Sequence, residues 1–123
     1  MTADETIDRG VPRAYLRVAL LALLAGGPAH GYELLEQVVA AGVRAADPGG
    51  LYRLLRAMEQ EGLVFSWWVD SVAGPPRRTY ELTPAGREIL VVEAFALRNM
   101  IRLLADFADR VDDAARPVIE SRR

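Results

Sequence analysis

Residues 47–83 constrain this chain most: a one-sided apolar helix runs without a linker into a hairpin with arginines at its turn. The helix reads DPGGLYRLLRAMEQEG. Asp47 suits an N-cap, and Pro48 suits the first helical position, where a missing N–H costs nothing. Leu51, Leu54, Leu55 and Met58 recur at helical spacing and form one buried stripe. Gly49, Tyr52, Arg53, Arg56 and Gln60 fall on the opposite, open face. Gly62 ends the helix. LVFSWWVD then alternates as a strand over 63–70, SVAGPP turns the chain, and a second strand follows over 77–82, opening on Arg77 and Arg78.

Upstream, AYLRVALLALLA within 12–25 and GYELLEQVVAA within 31–41 give two more helices, separated by Gly26-Gly27-Pro28. The 12-residue run at 14–25 is too short to span a bilayer and carries Arg17. Arg9 and Arg13 before it resemble a signal peptide's start, but Arg17 and the Gly-Gly-Pro stop favour a buried core helix. Three helices and a basic hairpin make a winged helix-turn-helix, in which the third helix enters the major groove and the hairpin follows the backbone. The expected fold is mainly α with a small β-hairpin. A flexible arm occupies 1–11, the winged helix-turn-helix 12–83, a long C-terminal helix 84–115 and a tail 116–123.

That last helix starts at Thr83, an N-cap followed by Pro84, and is expected to end near 113, with Pro117 beyond it. Leu90, Ala94, Leu97, Ile101, Leu104, Ala108 and Val111 are spaced 4-3-4-3-4-3, an a/d heptad. A helix of about 28 residues reaches roughly 40 Å, more than so small a body can cover. Its surplus apolar face calls for a second copy of the chain; folding back on the first helix is the alternative.

The chain has no cysteine, which excludes disulfides and cysteine-ligated zinc, and its single histidine excludes a histidine-rich metal site. All 15 basic residues are arginine, and the formal net charge is −2. An acidic balance disfavours DNA binding taken alone, but the distribution matters more than the sum. Residues 48–57 hold Arg53 and Arg56 and no acid, Arg77 and Arg78 are adjacent, and acids gather at Asp4, Glu5, Asp8, Asp106, Asp109, Asp112 and Asp113. No phosphate-cradling loop, nucleophile–base pair or metal-ligand cluster is present, so neither an enzyme nor a cofactor is expected.

Three motifs in order carry a resemblance. Gly27-Pro28-Ala29-His30-Gly31-Tyr32-Glu33 comes first. Pro48-Gly49-Gly50-Leu51-Tyr52-Arg53-Leu54-Leu55 follows, with Glu59 and Gly62-Leu63. Pro76-Arg77-Arg78-Thr79-Tyr80-Glu81-Leu82-Thr83 closes the series. Over roughly residues 14–90 the chain resembles the PadR family of bacterial transcription regulators. The resemblance implies a cytoplasmic, nucleoid-associated repressor that dimerises through the last helix and the first, adding Leu16 and Leu20 to the seam. It also implies a palindromic operator in double-stranded DNA and release by a small aromatic or drug-like effector. The chain departs from the family pattern at Asp47 (usually Ser), Gly50 (usually Thr) and Arg53 (usually Pro). Gly50 gives up a hydroxyl, and Arg53 gains a guanidinium able to pair with guanine O6 and N7. The last helix has no Trp, so the candidate effector pocket is Phe95, Leu97, Met100 and Ile101, with Trp67 from the hairpin.

The candidate DNA contacts are therefore Gly49, Gly50, Tyr52, Arg53, Arg56, Arg77 and Arg78. His30 reads as a structural residue bonding helix N–H groups or loop carbonyls. The rival to a DNA-binding regulator is a protein-interaction module that keeps the fold and has lost DNA binding, favoured by the acidic balance and by the departures at Asp47 and Gly50.

Overall fold

The computed structural model describes the backbone of residues 9–121 and the side chains of residues 9–116. It divides after Leu90 into two units.

In the first unit a 3-10 turn (Arg13–Tyr15) leads into α1 (Leu16–Leu24). Two-residue strand β1 (Ala29–His30) precedes α2 (Gly31–Ala40), and α3 spans Pro48–Gln60. Strands β2 (Val64–Val69) and β3 (Arg77–Leu82) form the hairpin, and α4 (Pro84–Ser121) starts on this unit. The sheet is antiparallel in the order β1-β3-β2. The sequence reading turns the chain at Gly26-Gly27-Pro28 and gives residues 29–30 no element; the third strand escapes notice because two residues show no alternation.

Each helix is placed by its apolar side. Leu20, Leu21 and Leu24 of α1, Leu34 and Val38 of α2, and Leu51, Leu55 and Met58 of α3 are fully buried in one core. Val64, Tyr80 and Leu82 close it from the sheet. Each fully buried Leu or Met contributes about 1.5–3 kcal/mol relative to exposure. Asp47 caps α3, its Oδ1 accepting from Gly50 N at 2.9 Å. Gly62 ends the helix at φ +79°, the left-handed conformation that glycine adopts without strain. Thr83 caps α4, accepting from Gly86 N at 3.0 Å and donating to Gly62 O.

Three expectations are corrected. Leu16 and Leu20 are core residues of this chain, 5% and 0% exposed, and leave almost no surface for a dimer seam. Leu90 touches that core but is only half-buried. Of the expected arm, residues 1–8 lie outside the described residues. The stretch 9–11 is tied down, with Val11 N donating to Gly42 O at 2.8 Å, an anchor that leaves no periodic trace. Finally, α4 runs through Pro117 to Ser121, because a proline removes one helical hydrogen bond without forbidding the helix.

The second unit is the remainder of α4. Val91, Phe95, Ile101, Leu104, Phe107 and Val111 are all more than half exposed. Among the described residues no helix is long and apolar enough to cross a membrane.

Candidate nucleic-acid interface

The exposed face of α3 follows from the burial of its opposite face. With Leu51, Leu55 and Met58 inside, Gly49, Tyr52, Arg53 and Arg56 are left outside. Gly50, part-exposed, stands above the cap, where a Cβ would come 2.6 Å from Asp47 Oδ1 and 3.0 Å from Arg13 Nη2. Arg13 itself pairs with that carboxylate at 3.1 Å, so the acid that stands at the helix start is neutralised. Arg53 folds back over Gly49, its Nη1 3.2 Å from where a Cβ would sit. Neither Arg53 nor Arg56 makes an ion pair with an acid among the described residues.

Tyr52 is fixed by a glycine. A Cβ on buried Gly31 would run into the hydroxyl end of the Tyr52 ring, so the ring sits close against the start of α2 while staying 42% exposed. His30 caps α2, its Nδ1 accepting from Glu33 N at 3.2 Å. A neutral ring then carries its proton on Nε2, which faces Glu33 Oε2 at 3.5 Å. Arg77 Nη1 lies 3.3 Å from that same Nε2. In this tautomer two donors face each other, so His30 offers Arg77 no acceptor.

Arg78 is placed differently. The register sets it opposite Trp68, and its guanidinium lies 5.5 Å over the Trp68 ring. Its Nε donates to Ser66 Oγ at 2.8 Å and its Nη2 to Glu59 Oε2 at 3.3 Å. Ser66 in turn donates to the other Glu59 oxygen. Between α3 and the hairpin lies a hollow of about 740 Å³, lined by His30, Tyr52, Arg56, Trp68, Arg77 and Tyr80 among others. Burial pushes the Tyr80 hydroxyl above its ordinary pKa, against the opposing pull of Arg78, so it stays protonated through the neutral range.

The structure thus brings Tyr52 and Arg56 together with Arg77 and Arg78 around one hollow, with Gly49, Gly50 and Arg53 on the same helix. Of the candidate effector residues, Trp67 stacks on Phe65 in the hairpin, ring centres 5.4 Å apart. In the second unit Phe95, Met100 and Ile101 are exposed and Leu97 half-buried. Of the expected seam residues there, Leu104, Ala108 and Val111 are exposed and Ala94 half-buried. Sequence reasoning missed Glu59 and Ser66 as partners of Arg78, although strand alternation already put Ser66 and Trp68 on one face. Among the described residues no cluster could hold a metal ion.

Residues 20–91 match the Transcriptional regulator PadR-like family. The chain is 36% identical over 94 residues to the transcriptional regulator Rv3488 of Mycobacterium tuberculosis, covering 76% of this chain and 86% of that one. It shares the fold of a PadR-like transcriptional regulator from Bacillus cereus, with TM-score 0.69, 24% identity, and coverage of 77% of this chain and 92% of that one. It also shares the fold of Bacillus subtilis PadR, solved in complex with operator DNA, with TM-score 0.58 and 22% identity over 64% of this chain and 46% of that one. With more than half its length matched, the chain belongs to the PadR-like family of transcriptional regulators, which are not enzymes.

Proposed function

We propose that the chain is a sequence-specific DNA-binding repressor that grips an inverted-repeat operator as a homodimer. The observation that carries this is the meeting of Arg56 and Tyr52 of α3 with Arg77 of the hairpin around one exposed hollow. A helix inserted in the major groove would present Arg53 and Arg56 to base edges, and the hairpin would lay Arg77 along the phosphates. The Bacillus subtilis PadR complex with operator DNA supports the reading by shared fold.

The second copy is supported by the exposed apolar residues of α4 between Val91 and Val111. An isologous dimer presents two copies of α3 related by a two-fold axis, hence an inverted repeat. A small aromatic or drug-like effector would bind near Phe95, Leu97, Met100 and Ile101 and shift the spacing of the two helices. A cytoplasmic, nucleoid-associated protein follows from that role.

Selection of bound fragments from genomic DNA with purified protein tests the proposal. One recovered sequence class with two-fold symmetry is expected. Arg53→Ala with Arg56→Ala should then weaken binding at moderate salt while the protein stays folded; unchanged affinity would remove α3 from the role of recognition helix. The rival, an interaction module without DNA binding, is favoured by the net charge of −2 and predicts no salt-dependent binding of any duplex.

A further inference from the structure

Two adjacent arginines at the base of the hairpin turn do not have the same surroundings. The Arg78 guanidinium is engaged on three sides, by Ser66 Oγ, by Glu59 Oε2 and by the Trp68 ring. Both Glu59 oxygens are in use, one taking the Ser66 hydroxyl and the other Arg78. The cluster ties three elements together: Glu59 sits on α3, Ser66 and Trp68 on β2, and Arg78 on β3. The buried part of the hairpin is its base, at Val64, Tyr80 and Leu82, while Trp68, Val69, Arg77 and Arg78 are exposed. The Glu59–Arg78 link therefore joins the outer half of the hairpin to α3 by charge and hydrogen bonds. A single ion pair this exposed contributes little to stability, but a network with good geometry fixes orientation. Arg77, by contrast, faces a histidine that offers it no acceptor in the capping tautomer.

We propose that Glu59 and Ser66 are positioning residues, holding Arg78 as a strut between α3 and the hairpin, so that Arg77 is the arginine of the pair left to meet DNA phosphate. Specificity then depends on the strut. It sets the angle at which the hairpin lies on the backbone when the face of α3 is in the groove. The proposal rests on the reading of α3 and the hairpin as the DNA-binding surface.

The test has one arm without DNA and one with it. Without DNA, amide hydrogen exchange in residues 67–78 should quicken several-fold in Glu59→Ala and Ser66→Ala, with exchange in α1 unchanged. Glu59→Gln, which keeps an acceptor for Arg78 only and turns an N–H donor toward Ser66, should fall between the wild type and Glu59→Ala. Unchanged exchange in residues 67–78 of Glu59→Ala overturns the strut whatever happens with DNA. The second arm compares a genomically selected fragment with a scrambled duplex of equal length across a salt series. Arg77→Ala should flatten log affinity against log salt by up to about 0.9. Arg78→Ala should leave that slope unchanged and lower the ratio of specific to scrambled affinity several-fold, with Arg78→Lys restoring most of it. A slope that falls as far in Arg78→Ala as in Arg77→Ala makes Arg78 a phosphate contact and overturns the proposal. So does a ratio that stays at the wild-type value in Glu59→Ala, since the strut would then carry none of the specificity. Quickened exchange in the two variants, together with a wild type that binds no duplex, would leave the strut standing and overturn its role in DNA binding.

Discussion

At the scale of single residues, the interface is shaped as much by missing side chains as by present ones. Gly31 is buried, and the Tyr52 ring occupies the place its Cβ would take. Gly31→Ala should therefore cost about 1–3 kcal/mol, the range for overpacking a filled site. Most of that cost should vanish in a Tyr52→Ala background, because the two positions are in direct contact and couple. Urea unfolding of the four proteins of this cycle measures the coupling, and additive effects would show that the ring does not rest on the glycine. A second residue-scale effect is electrostatic. Arg17 donates to Glu61 across 3.1 Å and holds its carboxyl below the usual carboxylate range. A depressed folded-state pKa means that the pair's stabilisation is present above the unfolded value and lost as pH falls through the folded one. Glu61→Gln should thus lower the melting temperature slightly at neutral pH and make no difference at strongly acid pH. A difference that persists in acid would point to packing instead.

At the scale of elements, the ends of α3 and the start of α4 are where local sequence decides structure. Asp47, Pro48 and Gly62 mark α3 so clearly that its limits are legible without coordinates. Thr83 does the same for α4, and its hydroxyl also reaches back to Gly62 O, so one side chain joins the end of α3 to the beginning of α4. Thr83→Ala should cost about 0.5–2 kcal/mol, and Thr83→Ser much less, since serine keeps the cap. Thermal unfolding of both variants checks this, and equal losses would implicate the methyl group instead. What stays illegible is what depends on register or on close approach. Strand β1 exists only because Ala29 and His30 pair with Tyr80 and Thr79. The role of Arg78 depends on its standing opposite Trp68 and beside Ser66, and nothing local in Arg77-Arg78 separates the two. Gly86 is required because a Cβ there would meet Leu63 O, a contact between residues far apart in the chain. The helix α1 shows the opposite error. Its apolar pattern suits a dimer seam and a monomer core equally, and Leu16 and Leu20 turn out to serve the core.

At the scale of the whole molecule, the question is what covers α4. Its apolar residues beyond Leu90 keep the 4-3 spacing of a seam, and Phe95, Ile101, Leu104, Phe107 and Val111 are more than half exposed in the single chain. Surface of that kind on a helix is stabilised by association. Ile101 and Leu97 stand in the middle of the pattern, where a carboxylate in a closed seam would have neither water nor partner. Burying such a charge costs several kcal/mol, enough to dominate a modest helical interface. Leu97→Asp with Ile101→Asp should therefore give a monomer, read by sedimentation at micromolar concentration beside a dimeric wild type. Because the core of the first unit is complete within one chain, that monomer should keep slow amide hydrogen exchange in α1, α2 and α3. One copy of α3 offers only a few base contacts, so specific binding to a two-fold operator should be lost while weak, salt-sensitive binding to any duplex persists. A wild type that sediments as a monomer and still binds a single half-site tightly would dispose of the seam and of the inverted repeat together.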